Sequence, residues 1–254
     1  MEFIDTLSFY CINLDKRTDR WARVQHQFDL IGIRRKVTRV SAVPASINYN
    51  PALSKPHQSL VETNLQILNR TNLCGPICIF EDDVYFIMDN KPLDIMAGIS
   101  RQLSEDFGLL YLGAHLFDPK LKHPLVCPNL VRLLPEPRPT KEKDHVFIGG
   151  THAVVFSRKA IQYIRSQPTQ NLFEAPWDVF LSKYLVPNFP CFMAHPAFAF
   201  QIDDFSDIDG TKAERKGIIE LNKTRIRQGL VRDLFLKVSN KLKSIRKDLT
   251  DRCE

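Results

Sequence analysis

The stretch ICIFEDDVYF, residues 77–86, decides the fold that this sequence predicts. Its first four residues form the continuous apolar run that is typical of a strand covered on both faces of a sheet. Glu81, Asp82 and Asp83 follow directly. Because burying three carboxylates within a strand would be costly, we expect them at a sheet edge or in a cleft. The stretch therefore predicts a central strand that ends at an acidic site.

Strand-like and helical segments alternate around this stretch. The strand-like runs lie at 7–14, 36–43, 77–80 and 109–112, and apolar residues at helical spacing lie at about 21–31, 58–73 and 93–103. This alternation predicts an α/β fold with a mostly parallel central sheet that binds ligands at the carboxyl ends of its strands. Nothing in the sequence repeats.

The second half of the chain is less regular. Residues 116–145 hold six prolines and many charges, which favours loops and edge strands over the site. Further along, the pattern predicts a strand at 146–156, a helix capped by Ser157, a helix beginning near Pro176 and an apolar segment at 189–200.

The charge of the protein is concentrated in its tail. The 254 residues carry 35 Lys and Arg against 29 Asp and Glu, a net charge of +6. Residues 221–254 hold ten of the basic and four of the acidic side chains, so the first 220 residues are neutral, with 25 of each sign. A neutral body gives no reason to expect nucleic-acid binding. We expect a catalytic domain at 1–218 and a basic amphipathic helical extension at 219–254.

That extension has an apolar stripe at helical spacing, through Leu230, Leu234, Val238, Leu242, Ile245 and Leu249. The stripe could dock on the domain, pair with another subunit or lie on an anionic membrane surface. Residues 1–14 show no secretory signal, and six cysteines in a chain of this length are no disulfide framework, so we expect a cytoplasmic protein with reduced thiols. The sequons at Asn69 and Asn222 would then stay unmodified.

The acidic triplet suggests a metal site. On a strand, Glu81 and Asp83 would share one side while Asp82 points away. Two hard oxygen donors so placed can bracket a small divalent cation that bridges the phosphates of a nucleotide. A helix cap or a surface turn is the alternative. The sequence has neither GxGxxG after its first strand nor GxxxxGK[ST] anywhere, so a glycine-rich phosphate loop is not expected.

Six segments occur in the order seen in glycosyltransferase family 25, which the chain resembles over residues 7–210. They are INLDKRTDRW (12–21), VTRVSAV (37–43), ICIFEDDVYF (77–86), LLYLG (109–113), GTHAVVFSRKAI (150–161) and PWDVFL (176–181). The resemblance implies a GT-A-like fold, a UDP-sugar donor (UDP-galactose or UDP-glucose), manganese or magnesium, and inverting transfer of a hexose to a hydroxyl of a glycan or protein. It further implies that Glu81–Asp83 is the metal site.

One segment departs from the family pattern. Where the family has a Gly-Cys-x-Leu-Ser-His helix, this chain has SLVETNLQIL at 59–68, with Thr63 and Asn64 in place of Ser-His. The departure leaves two other hypotheses open. One is a nucleotidyltransferase or phosphohydrolase that uses the same acidic strand end, and the other is a sugar-nucleotide-binding protein on a degenerate transferase fold.

The resemblance also assigns site residues. On the nucleotide side it places Asn13, Asp15, Arg17, Arg20 and Ala42. Arg17 and Arg20 could meet phosphate through forked hydrogen bonds, or could simply begin an amphipathic helix.

For the general base, Asp178 is the candidate and Glu174 the reserve. Asp178 could equally be an acid that stabilises the first turn of a helix. Trp177 could stack on a sugar or belong to the core.

The remaining candidates surround a glycine pair and the end of the resembling region. Gly150 and Thr151 should let the backbone approach the donor, and His152 could contact it or lie in the core. His195 could complete the metal shell or be structural. The acceptor-side or metal candidates are Asp203, Asp204, Ser206 and Asp207.

Overall fold

The computed structural model describes residues 3–70, 75–118, 120–135, 148–202, 222 and 224–227. Its strands are β1 Ser8–Asn13, β2 Val37–Ser41, β3 Ile77–Glu81, β4 Val84–Phe86, β5 Leu109–Tyr111, β6 His115–Leu116, β7 His123–Cys127, β8 Leu130–Leu133, β9 Ile148–Gly149, β10 Ala153–Phe156, β11 Cys191–Ala194, β12 Ala199–Gln201 and β13 Ile226–Arg227. Its α-helices are α1 Phe3–Thr6, α2 Thr18–Leu30, α3 Lys55–Arg70, α4 Pro92–Ser100, α5 Arg158–Ser166, α6 Thr169–Leu172 and α7 Trp177–Phe180. Short 3₁₀ turns lie at Arg34–Lys36 and Met88–Asn90, and a π-helical turn at Leu181–Leu185 follows α7.

Nine of the described strands form one sheet in the order β13-β7-β8-β11-β5-β10-β3-β1-β2. β1 runs parallel to both β2 and β3, whereas β10 runs antiparallel to β3 and β5. Following the pairings outward, seven of these nine strands point in one direction and two, β8 and β10, in the other. The predicted α/β architecture with a mostly parallel sheet is confirmed.

Two apolar layers cover the two faces of this sheet, which explains the uninterrupted apolar run in β3. Ile77 and Ile79 face the layer that includes α3, α5 and α7. Cys78 and Phe80 face the other layer, which includes α2 and α4. Successive side chains on a strand point to opposite faces, so a strand buried on both faces must be apolar at every position.

The helices predicted from apolar spacing form close to their expected bounds. α2 buries Val24 and Phe28, and α5 begins after Ser157, whose Oγ accepts a hydrogen bond from the amide of Ala160 at 3.1 Å. That bond satisfies one of the amides left unpaired at a helix start. None of the helices in the described ranges combines the length and apolar character needed to cross a membrane.

The structure corrects the single strand predicted at 146–156. Its described part is two strands in different sheets, because Gly150 adopts a φ of +82° and turns the chain between them. β9 pairs with β6, while β10 enters the large sheet. A side chain at 150 would be strained at this φ and would meet the His152 ring at 3.1 Å.

Strand β13 lies within the region predicted as a separate helical extension. Ile226 and Arg227 pair in parallel with His123 and Pro124 of β7, at the edge of the large sheet. This short part of 219–254 is therefore attached to the domain. The apolar stripe from Leu230 onward and the acidic candidates at 203–207 lie outside the described residues.

Candidate active site

A cavity of about 740 Å³ opens at the carboxyl ends of β1, β2 and β3. Segments that follow these strands form much of its wall, as expected for a ligand site in an α/β sheet. The predicted site residues that line it are Asn13, Arg20, Ala42, Glu81, Asp82, Asp83, Gly150, Thr151 and Asp178. Those that do not line it are Asp15, Arg17, His152, Glu174 and His195. One cavity therefore collects residues that are up to 165 positions apart in the sequence.

Asp82 lies at the centre of a buried polar cluster in the cavity wall. Its Oδ2 accepts a hydrogen bond from Asn13 Nδ2 at 2.7 Å, and its Oδ1 pairs with Arg20 Nη1 at 3.0 Å. Both side chains of the ion pair are more than 90% buried. Burial raises the pKa of Asp82, although Asn13 and Arg20 act in the opposite direction. Asp82 therefore joins the ends of β1, α2 and β3.

The prediction that Asp82 points away from the side shared by Glu81 and Asp83 is wrong. β3 ends at Glu81, and Asp82 and Asp83 form the turn into β4, so the two-residue period of a strand no longer applies. All three side chains line the same cavity. Glu81 Oε1 accepts a hydrogen bond from Thr151 Oγ1 at 2.5 Å, and Gln201 Nε2 lies 3.2 Å from Asp83 Oδ2.

The carboxylates of the acidic turn could supply some of the ligands of a hard divalent cation. No three His, Cys, Asp or Glu side chains within the described ranges come together as a metal cluster. Asp82 is committed to a buried ion pair with Arg20, whereas Glu81 and Asp83 accept hydrogen bonds from the neutral side chains of Thr151 and Gln201, so these two carboxylates are more suited to a cation than Asp82 is. Mg²⁺ and similar ions are often held by one or two carboxylates, with phosphate oxygens and waters completing the shell. Two carboxylates beside a cavity satisfy that requirement.

His195 does not reach this cavity, so the structure does not bring it together with the acidic triplet. Its backbone amide donates to the carbonyl of Asn129 at 3.0 Å, and burial lowers the pKa of its imidazole. The structural role weighed for His195 agrees with this position.

The polar residues predicted to bind the nucleotide after β1 differ in their contacts. Asp15 Oδ1 accepts hydrogen bonds from Arg39 and Ser41 of β2, on the exposed side of the sheet edge. Arg17 pairs with Asp19 through both carboxylate oxygens, at 3.0 and 2.9 Å, and this hydrogen bonding lowers the pKa of Asp19. The Arg17 side chain makes no capping hydrogen bond and is instead engaged with Asp19, an acid in the first turn of α2. Arg20 lines the cavity but is engaged with Asp82.

Asp178 lies in the first turn of α7 and lines the cavity, as its prediction as a base required. Its Oδ1 accepts from the amide of Val179 at 2.9 Å. Burial raises the pKa of its carboxyl, while backbone hydrogen bonds and the nearby His57 act to lower it. A carboxyl in such surroundings is suited to proton transfer nearer neutral pH than an exposed one.

The reserve base, Glu174, lies elsewhere. Its carboxylate accepts from Lys183 Nζ at 2.7 Å and from the Tyr184 hydroxyl at 2.6 Å, in a largely exposed cluster beside the π-helical turn. Trp177, weighed as a sugar platform, borders the cavity, but it is 1% exposed and stacks on Phe180 with 5.3 Å between ring centroids, which agrees with the core alternative.

His152 is also a core residue. It is fully buried, and its Nε2 lies 3.1 Å from the carbonyl oxygen of Ala199. Gly150 and Thr151, the two residues before it, do line the cavity. The positive φ of Gly150 and the bond from Thr151 to Glu81 therefore explain this segment better than a direct role for the histidine.

Thr63 and Asn64, the two residues that depart from the family pattern, are buried and do not line the cavity. Thr63 Oγ1 accepts from the amide of Val43 at 3.0 Å and donates to the carbonyl of Ser59 at 2.7 Å. Because Val43 lines the cavity, Thr63 fixes part of its wall to α3.

Gln58 of α3 holds the same loop in place. Its fully buried amide donates to Asn48 Oδ1 and to the carbonyls of Asn50 and Leu53, at 2.7 to 3.0 Å. Its Oε1 accepts from the amide of Tyr49 at 2.8 Å. These hydrogen bonds therefore tie the loop before α3 to the helix.

Sequence reasoning missed several residues that line the cavity, namely Lys16, Lys55, His57, His115 and Phe117. His57 lies in the first turn of α3, and its Nδ1 lies 2.7 Å from Ser54 Oγ, a contact that orients the ring. Lys16 and Lys55 bring positive charge to a cavity that also holds three acids in its acidic turn. Only the position of Lys16 inside the INLDKRTDRW segment signalled such a role.

No protein-family model and no curated protein matches the chain. Many solved structures are similar to it, among them the following three, which cover most of this chain. A glycosyltransferase involved in glycosylation of the major capsid of PBCV-1 shares 13% identity over 85% of this chain and 98% of its own, with a TM-score of 0.40. A Drosophila β1,4-galactosyltransferase 7 in complex with manganese, UDP-Gal and xylobiose shares 12% over 88% and 81%, with a TM-score of 0.43. An inositol-1-phosphate CTP transferase from T. maritima shares 16% over 86% and 76%, with a TM-score of 0.39.

Proposed function

We propose that the protein is a GT-A-like glycosyltransferase related to family 25. It transfers a hexose, galactose or glucose, from a UDP-sugar to a hydroxyl of a glycan or protein acceptor, with inversion and with the help of Mn²⁺ or Mg²⁺. One observation carries the proposal: a single cavity at the strand ends brings together the acidic turn after β3, two lysines and Asp178. The choice of UDP and of family 25 is supported by the six ordered segments of the sequence.

The two kinds of charge in the cavity suit a sugar diphosphate. Lys16 and Lys55 can attract phosphate oxygens, while Glu81 and Asp83 would hold the divalent cation. When bound, that cation would offset the charge that develops on the departing UDP. Thr151 keeps the Glu81 carboxylate oriented, and the Asn13–Asp82–Arg20 cluster fixes the turn that carries Asp83.

Asp178 supplies the base. The acceptor hydroxyl attacks the anomeric carbon from the side opposite to UDP, its proton passes to the Asp178 carboxylate, and the bond from the anomeric carbon to the phosphate oxygen breaks. General-base help of this kind is typically worth about 10²- to 10⁴-fold in rate. The raised pKa of Asp178 makes its carboxylate a stronger base than an exposed one, and His57 moderates that shift.

An assay of UDP-sugar hydrolysis without acceptor tests the proposal. The release of UDP is measured with and without Mn²⁺. A glycosyltransferase releases UDP and free sugar in a Mn²⁺-dependent reaction that prefers one donor. A nucleotidyltransferase or phosphohydrolase would instead release pyrophosphate or phosphate from nucleotides. A binding protein on a degenerate fold would bind UDP-sugar without turnover. Either of these last outcomes would contradict the proposal.

A further inference from the structure

Asn222 is a buried residue from the C-terminal part of the chain whose amide is bonded on both sides. It is 4% exposed. Its Oδ1 accepts from the amide of Leu116 at 3.0 Å, and its Nδ2 donates to the carbonyl of Ala114 at 2.6 Å. These bonds link residues more than 100 positions apart in the sequence.

The two bonds act on the backbone at β6, because Leu116 belongs to this strand and Ala114 immediately precedes it. Ala114 and Leu116 are two residues apart, so their polar groups point to the same edge of the strand. β6 also pairs with β9, with His115 opposite Gly149 and Leu116 opposite Ile148. Asn222 thus satisfies backbone groups of β6 as a neighbouring strand would, and fixes the segment that carries His115.

The segment that Asn222 holds is part of the cavity wall. His115 and Phe117 both line the cavity, and Phe117 is 40% exposed. The His115 ring packs edge-on against Phe117 at 5.8 Å and near His152 at 5.7 Å. A small displacement of β6 would therefore move an aromatic ring and an imidazole at the site.

Asn222 is held in place from its own side as well. Lys122 Nζ donates to the carbonyl of Thr224, and Ile226 and Arg227 pair with β7 at the sheet edge. The described residues that follow Asn222 are therefore bonded to the domain at further points.

We propose that Asn222 is a positioning residue that sets His115 and Phe117 for contact with the substrate. The proposal rests on the proposed transferase function and deepens it: the C-terminal segment completes the site, although Asn222 itself touches no substrate. Misplacement of reacting groups by about 1 Å can cost about 100-fold in rate. Loss of this two-point contact should therefore affect kinetics beyond its effect on stability.

The test compares three variants of the full-length protein. Asn222→Ala removes both bonds, and Asn222→Asp keeps an acceptor for the Leu116 amide while losing the donor to Ala114. Asn90→Ala is the matched control, because Asn90 Nδ2 donates to the carbonyl of Ala197 at 2.7 Å and Asn90 does not line the cavity. Hydrogen exchange at the Leu116 amide and the kcat and KM for UDP-sugar turnover are measured at a temperature where all three are folded.

We expect Asn222→Ala to lose protection at Leu116 and about 10- to 100-fold in kcat/KM. Asn222→Asp should lose at least as much, because its second carboxylate oxygen would face the Ala114 carbonyl oxygen at a buried position, and Asn90→Ala should stay within twofold of the wild type. If either Asn222 variant loses protection at Leu116 but keeps kcat and KM, Asn222 is only structural and the inference is overturned. Absence of turnover in the wild type would instead contradict the proposed function, so the two failures are distinguishable.

Discussion

The Nδ2 atom of Asn13 donates a hydrogen bond of 2.7 Å to Oδ2 of Asp82, a residue 69 positions later in the chain. This bond ties the end of β1 to the turn after β3, directly beneath the cavity. Asn13 is 1% exposed, and its Oδ1 in turn accepts from Arg39 of β2 at 2.9 Å. One polar network thus joins three adjacent parallel strands. This network fixes the positions of the acids in the turn after β3.

Breaking the buried ion pair should destabilise the protein strongly. The variant Arg20→Met leaves the Asp82 carboxylate buried with its cationic partner removed, and such a change typically costs about 3–5 kcal/mol in the free energy of unfolding. Chemical denaturation measures this loss. Arg17→Met, also near the beginning of α2, is the control, because its partner Asp19 is 62% exposed and such pairs are worth about 0–1 kcal/mol. Equal losses in the two variants would contradict the assigned role of Asp82.

Asp178 and Glu174 should differ sharply in transfer. We expect Asp178→Asn to lose about 10²- to 10⁴-fold in kcat, because it removes the proton acceptor, while UDP still binds. Glu174→Gln should keep kcat within twofold, because Glu174 lies outside the cavity. Steady-state kinetics together with UDP binding checks both. Normal transfer by Asp178→Asn would eliminate this residue as the base.

The acid limb of the pH–rate profile should report the surroundings of Asp178. Because burial raises the pKa of its carboxyl, activity should fall at a higher pH than for an exposed aspartate. His57 acts to lower that pKa, so His57→Gln should move the acid limb to still higher pH. An unchanged limb would show that His57 does not influence the base, and a shift to lower pH would contradict the direction assigned to its effect. Ser54→Ala, which removes the hydroxyl that contacts His57 Nδ1, should give a smaller shift in the same direction.

His123 should make the protein less stable as the pH falls. Burial lowers the pKa of its imidazole to about 4, and its Nδ1 accepts from the amide of Leu134 at 3.1 Å. Between the unfolded pKa of about 6.5 and pH 4, the unfolded chain binds the extra proton and the folded protein does not, so stability decreases on acidification, by up to about 3 kcal/mol. His123→Asn should flatten this slope in denaturation curves, whereas His26→Asn, at an exposed position of α2, should keep it. An unchanged slope in His123→Asn would contradict the assignment.

The sequence predicted most clearly which strand is buried on both faces and where that strand ends, and the structure confirms both. The apolar run before Glu81 could be recognised as a doubly covered strand because both faces of a central strand need apolar side chains. The position of the acidic triplet at a cavity followed from the cost of burying charge.

The details of the site depended on contacts between distant segments, which a local pattern does not contain. Asp82 lines the cavity together with Glu81 and Asp83 because the strand ends at Glu81, two residues earlier than the alternation assumed. Glu174 binds Lys183 and Tyr184 outside the cavity. His57 lines the cavity from the first turn of α3, where the sequence shows no distinctive motif. Asn222 depended on pairings more than 100 residues away.

The binding of UDP with a divalent cation at the acidic turn is the central claim, and the melting temperature of the protein with UDP tests it most directly. UDP should raise the melting temperature when Mn²⁺ is present and much less in its absence; saturation at about 100 times the dissociation constant corresponds to about 2.7 kcal/mol. Asp83→Ala should abolish this shift, and Asp89→Ala, an exposed acid outside the cavity, should retain it. No shift with UDP and Mn²⁺, or the same shift in Asp83→Ala as in the wild type, would contradict the account.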